Sequence, residues 1–246
     1  MKYAKVFHNL DDIMSRTKKQ KRIPGDSCIR CGTCCLKGGP ILHHEDKKII
    51  LAGHIGHQNL VTIRKGELAY NPVNEKLEPV ARELIKVRGK GKDWTCCFYD
   101  DKESACKIYK YRFLECRLLK CWDTSEFISI IGKNTIIRAD IINFNDPILK
   151  VIETHEKECP YNMVKNLIFI LSEGKDKTEN FAKLTELVRK DLTIRSYAIS
   201  ELGLQEAFEL FIFGRPLFEV LSTHGLSVRI PPDSLPKRYS TEPEPL

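Results

Sequence analysis

The sequence predicts an α+β fold in which a small, loop-rich, cysteine-clustered half with short strands precedes a mainly α-helical half. Three observations predict it. Nine of the ten cysteines fall within the 94 residues from 28 to 121. Apolar runs among them are short, partly alternating and punctuated by turn dipeptides. From Pro147 onward, apolar residues recur at helical spacing in successive windows. The expected organisation is a basic arm over 1–24, a cysteine-cluster metal-binding region over 25–125, an α-helical region packed on it over 126–230, and an extended proline-rich tail over 231–246.

Each element has a local reason. Residues 10–19 read as a short helix stopped by the Pro24-Gly25 turn signal. Residues 44–55 place Ile49, Ile50, Ala52 and Ile55 behind the acidic pair Glu45-Asp46, a helix entered through its N-terminal dipole. Residues 61–63, 68–70 and 83–87 read as strands, with Asn71-Pro72 and Gly89-Lys90-Gly91 as turns. Residues 94–99 read as extended and 108–114 as a helix. Helical windows follow at 147–158, 161–171, 180–188, 204–213 and 216–222, with Pro147, Pro160 and Pro216 at first-turn positions where the missing amide proton costs nothing. The aromatic stripe Phe208, Phe211, Phe213 and Phe218 reads as core rather than as the wall of a ligand groove.

Composition narrows the function classes. A 42% hydrophobic and 30% charged chain has apolar surface enough for a real core, which excludes wholesale disorder. No stretch approaches the roughly 18 apolar residues of a membrane span. Residues 1–24 lack the apolar run of about 7–15 residues of a secretory signal, and carry Asp11 and Asp12 where a transit peptide avoids acids. A soluble, cytoplasmic protein is expected. The net charge of +7 is concentrated in the arm, where seven basic residues face two acidic ones. That arm has little aromatic interleaving, so it reads as solvated rather than as a nucleic-acid contact. The expected partners are a metal ion or cluster and a protein, with no membrane and no nucleic acid.

The cysteine spacings carry the chemistry. In a reducing compartment, thiols at short spacing point to metal rather than to disulfides. Cys28, Cys31 and Cys34 repeat a two-residue gap twice, with Cys35 adjacent, which is the loop spacing of a bacterial ferredoxin. Ferredoxin loops are closed by a cysteine followed by proline, and Cys159-Pro160 is the one such pair in the chain. The second group is Cys96, Cys97, Cys106, Cys116 and Cys121. Adjacent residues of a strand face opposite ways, so one of Cys96 and Cys97 is expected in the core, and Cys121 reads equally as core or ligand. His54 with His57, and His155 with Cys159, have spacings that zinc tolerates, but satisfied histidines are the simpler reading. No phosphate loop, dinucleotide fingerprint or isolated nucleophile is present, so no catalytic residue is assigned.

Taken together, Cys28-x2-Cys31-Gly32-x-Cys34-Cys35, then Cys97-Phe98-Tyr99-Asp100, then Cys106-Lys107-Ile108-Tyr109-x2-Arg112-x3-Cys116-Arg117 resembles the YkgJ-type cysteine-cluster family, the zinc- or iron-chelating CxxCxxCC domain. His44-Glu45-Asp46 falls where that family has a helix. The chain departs from the family pattern at Phe113, where proline is usual, after Arg117, and at Tyr161, where glycine follows the Cys-Pro pair. The resemblance implies metal chelation, as an iron–sulfur cluster such as [4Fe–4S] or as zinc. The ligand candidates are Cys28, Cys31, Cys34, Cys35, Cys97, Cys106, Cys116 and Cys159. A related branch, the flagellin lysine N-methylases, implies that the scaffold can support methyl transfer from S-adenosylmethionine, although no site for that cofactor is recognisable here. A structural zinc module whose helical half binds a protein is the third reading.

Overall fold

A computed structural model describes residues 32–91, 94–174 and 177–228. The arm with its expected helix at 10–19, Cys28, Cys31 and the tail lie outside the described residues. Short antiparallel strands occupy the first half and helices most of the second, so the expected α+β division holds.

At the centre, β1 (Leu60–Ile63) pairs antiparallel with β4 (Leu84–Val87), Leu60 opposite Val87 and Ile63 opposite Leu84. Every residue of β1 is buried, because the pair is covered by helices. Between them, β2 (Leu68–Asn71) and β3 (Lys76–Pro79) form a hairpin. The Asn71 side chain closes its turn, accepting from the Val73 amide and donating to Glu78. Strand β3 escapes sequence reading because its mostly exposed Lys-Leu-Glu-Pro carries no apolar alternation. Two shorter pairs follow: β5 (Gly89–Lys90) with β6 (Thr95–Cys96), and β7 (Tyr99–Asp100) with β8 (Ala105–Cys106). Gly89–Lys90, expected as part of a turn, is thus strand.

The helices are α1 (Thr33–Leu36), α2 (Lys47–Leu51), α3 (Leu114–Leu118), α4 (Ser125–Ile130), α5 (Ile148–Glu158), α6 (Tyr161–Ser172), α7 (Lys177–Ser200), α8 (Glu209–Phe213) and α9 (Leu217–Thr223). The expected helix at 44–55 is shorter: a 3-10 turn over His44–Asp46 leads into α2. That expected at 108–114 is a 3-10 turn over Tyr109–Tyr111, with α3 starting only at Leu114. One buried carboxylate explains both differences. Asp46 accepts from the amides of His43, at 3.0 Å, and Leu114, at 2.8 Å, so it pins a tight turn on one segment and sets the helix start on the other.

One core draws on both halves of the chain: Leu42, Leu60, Ile85, Phe98 and Phe113 pack with Ile136, Ile152, Phe211 and Phe213. A second cluster joins α6, α7 and α9, and includes Cys159, Val164, Leu184, Val188 and Leu217. Helix α7 is far longer than its expected 180–188. Its buried stripe runs Leu184, Leu187, Val188, Asp191, Leu192, Arg195 and Ala198, and the two charged members interrupt the apolar period. Both are satisfied inside. Asp191 accepts from His155 Nε2 at 2.6 Å, Arg195 Nε at 2.8 Å and the Leu217 amide at 2.9 Å. Burial holds His155 below its ordinary pKa, against the opposing pull of Asp191.

The C-terminal end of α8 is gripped from several sides. Thr62 donates to the Phe211 carbonyl, Arg138 to Ile212, and Arg195 to Phe213, Gly214 and Arg215. Helix-end carbonyls and cations attract each other, so these contacts fasten α8 to β1. Gly214 permits the approach: it has φ +72, and an added Cβ would lie 2.7 Å from the Thr62 carbonyl oxygen. Arg64, next to β1, and Arg138 both bind Glu156 of α5, which ties the helical half to the central strands.

Candidate metal centre

Four separate pieces of chain bring cysteines towards one region. Cys34 and Cys35 lie on α1, Cys96 ends β6, Cys106 ends β8, and Cys116 sits in the middle of α3. Helix α1 packs on β6. Gly32 makes this entry possible. Its φ is +74, and an added Cβ would fall 2.1 Å from Tyr99 Oη, so the chain crosses directly over the Tyr99 ring. Gly32→Ala is expected to cost about 1–3 kcal/mol, from the left-handed backbone and the forced shift of Tyr99. Thermal melting against wild type checks it, and an unchanged melting temperature would contradict the packing.

The segment 97–100 is scaffold around this region. Phe98 is in the core, Tyr99 covers Gly32 and pairs with Cys106 across β7–β8, and Asp100 accepts from the Lys102 and Glu103 amides to close the hairpin. Those two amides and Lys107 hold the Asp100 carboxyl below its usual range. Behind Cys116, Asp46 caps α3 while Glu115 accepts from the Ile41 amide at 2.8 Å and faces His43 Nε2 at 3.3 Å. Arg117 pairs with Glu45 and donates to the Arg112 carbonyl.

Residues 27–133 match the family model described as "CxxCxxCC: Putative zinc- or iron-chelating domain". This segment is a CxxCxxCC domain. No curated protein and no solved structure matches the chain.

Within the CxxCxxCC domain the thiols sense one another. Cys34 and Cys35 have sulfurs 4.0 Å apart: the thiol of Cys35 pulls Cys34 down to about 6, while the pairing and burial push Cys35 up. Burial pushes Cys116 up, reinforced by negative charge at Cys96, Cys34, Glu115 and Cys106. Cys106 is raised by burial and by Cys96 and Cys34. Cys96 is raised by its bond with Cys97 and by burial, and is eased by Lys86. Cys34, Cys35, Cys96, Cys106 and Cys116 therefore form one electrostatic group.

The adjacent thiols of Cys96 and Cys97 stay in contact: Cys96 is buried in the core, and Cys97, just past the end of β6, packs against that core along with Cys35 and Cys106. The bond with Cys96 brings Cys97 down to about 7, helped by Asn59, whose Nδ2 lies 3.9 Å from the Cys97 sulfur, and by Arg88. Cys159 lies elsewhere. It is fully buried in the helical cluster, with its sulfur 3.7 Å from the Leu187 carbonyl and Asp191, Arg64 and Arg195 as its charged neighbours. Of the histidine candidates, His54 stacks on Tyr111 and His57 on Phe211, while His155 serves Asp191. Cys121 is exposed.

Sequence reasoning passed over Lys86 and quoted Arg112 only as a member of the family motif. Lys86 donates to the Gly39 carbonyl, and its charge is felt at Cys96; that of Arg112 is felt at Cys34 and Cys106. Their signal in sequence is slight, since any lysine on a strand looks solvent-facing. The donor chemistry fits a thiolate-binding metal: soft sulfur donors are gathered where their charges would repel, with cations at the edge. Among the described residues, no three His, Cys, Asp or Glu side chains are yet drawn tightly enough to hold a metal ion by themselves.

Proposed function

We propose that the CxxCxxCC domain holds a thiolate-ligated metal centre, with an iron–sulfur cluster as the first reading. The single observation that supports it is the convergence of Cys34, Cys35, Cys96, Cys106 and Cys116 from four segments into one electrostatic group. Cys28 and Cys31, by their spacing to Cys34, complete the donor set from the N-terminal side. On this reading Cys96 is a ligand in preference to Cys97, and Cys159 is a core residue of the helical half. When bound, an iron–sulfur cluster would supply electron transfer, and zinc a structural centre. The chain's own residues hold the site: Asp46 and Glu115 fix the segment bearing Cys116, Tyr99 supports the Cys34 loop, and Lys86 and Arg112 offset thiolate charge. Thiol ligands also favour a reducing, cytoplasmic setting.

Anaerobic purification of the full chain, followed by visible absorption and metal analysis, tests this. A brown protein with iron and sulfide in cluster proportions is the expected result. A colourless protein with stoichiometric zinc overturns the iron–sulfur reading in favour of a closed zinc site, and a folded protein without metal overturns both.

A further inference from the structure

The surface beside the cysteine group combines aromatic rings with positive charge. Tyr109 and Tyr111 on the 3-10 turn are 45% and 42% exposed. Tyr111 stacks on His54 with ring centroids 4.1 Å apart and 21° between planes, and the Arg112 guanidinium lies 3.9 Å over the Tyr109 ring. Two stacked ring contacts are thus carried by the four residues 109–112. The two segments that carry the rings, 44–54 and 107–117, also hold Lys47, Lys48, Lys107, Lys110, Arg112 and Arg117, of which Lys107 pairs with Asp100 and Arg117 with Glu45, while Asp46 and Glu115 are buried. Asp46 and Glu115 are consumed by backbone amides.

A solvated patch of lysines needs no aromatic rings, and a buried aromatic cluster needs no lysines. Half-exposed aromatic rings on cation-rich segments match the chemistry of single-stranded nucleic acid, whose bases stack on aromatic faces while its phosphates track positive charge. We propose that the 109–112 surface, with His54 and the flanking lysines, binds single-stranded nucleic acid. This is independent of which metal the cysteines hold.

Fluorescence anisotropy of labelled 12-mers of oligo(rU) and oligo(dT), titrated with the metal-loaded full chain at several salt concentrations, tests it. Binding at low salt is expected, and the tighter of the two oligomers identifies RNA or DNA. Tyr109→Ala/Tyr111→Ala is expected to weaken binding by about tenfold or more with little change in salt dependence. Lys107→Ala/Lys110→Ala, which leaves the rings in place, should reduce the log–log salt slope by about 1.4. Thermal melting checks that both variants fold, and the lysine variant stands alone if the tyrosine one does not. Lack of binding overturns the proposal. So does equal binding of duplex, or binding that ignores both substitutions, which would mark non-specific attraction. Binding of anionic phosphatidylserine vesicles with the same tyrosine dependence, without oligomer binding, overturns it in favour of a membrane surface.

Discussion

Asp191→Ala is expected to destabilise the protein by about 3–5 kcal/mol, because it leaves Arg195 as a buried charge without its closest partner. Asp191 and Arg195 are both fully buried, and Asp191 also orients His155 and caps α9 through the Leu217 amide. For a chain of this size, the loss corresponds to a fall in melting temperature of about 10 °C. The effect should also appear in pH dependence. Burial alone would raise the pKa of Asp191, but Arg195, His155 and the Leu217 amide outweigh it and hold the carboxyl well below its usual range. A carboxylate with a depressed folded pKa contributes stability that is fully present above the ordinary carboxylate pKa and is lost as the pH falls toward the folded value. Urea midpoints between about pH 5 and pH 2 should therefore fall less steeply in Asp191→Asn than in wild type. Equal slopes would show that Asp191 keeps an ordinary pKa.

Cys96→Ser is expected to strip the metal and lower stability by several kcal/mol, while the neighbouring Cys97→Ser retains both. The contrast rests on neighbours: charge at Cys96 is felt at Cys35, Cys106 and Cys116, whereas Cys97 meets Asn59 and Arg88 besides Cys96 itself. Metal binding at a structural thiolate site can contribute about 10–16 kcal/mol, so loss of one ligand is large on the scale of domain stability. Metal analysis of both variants, paired with thermal melting, reads the result. The reverse pattern, with Cys97→Ser losing metal and Cys96→Ser keeping it, would overturn the placement.

The buried charges also show why the two halves cannot be considered separately. Arg64, beside the central strands, and Arg138, after α4, meet on Glu156, and the carbonyls ending α8 are held by Thr62, Arg138 and Arg195. The helical half thus covers β1 and β4, and that core in turn backs Cys35, Cys97 and Cys106. The cysteine segments are too short to bury a core of their own, so their positions depend on the helices that follow.

Much of this was legible in order. Apolar period and proline placement located α5, α6 and α9 almost to the residue, because those helices bury an apolar stripe on one side. The CxxCxxCC pattern identified the metal-chelating domain, because ligand geometry constrains spacing within a loop. Tertiary structure decided what spacing cannot encode. It extended α7 through Asp191 and Arg195, since charged residues belong to a core only when partners arrive from α5 and α8. It shortened the helices expected at 44–55 and 108–114, since the Asp46 carboxylate bonds the amide of His43 and that of Leu114, 68 residues further along than Asp46. It buried Cys96 in the core, and carried Cys159 into a different cluster. The physical reason is common to all four: local pattern reports which residues prefer burial or a turn, but a buried polar group goes where a distant partner satisfies it.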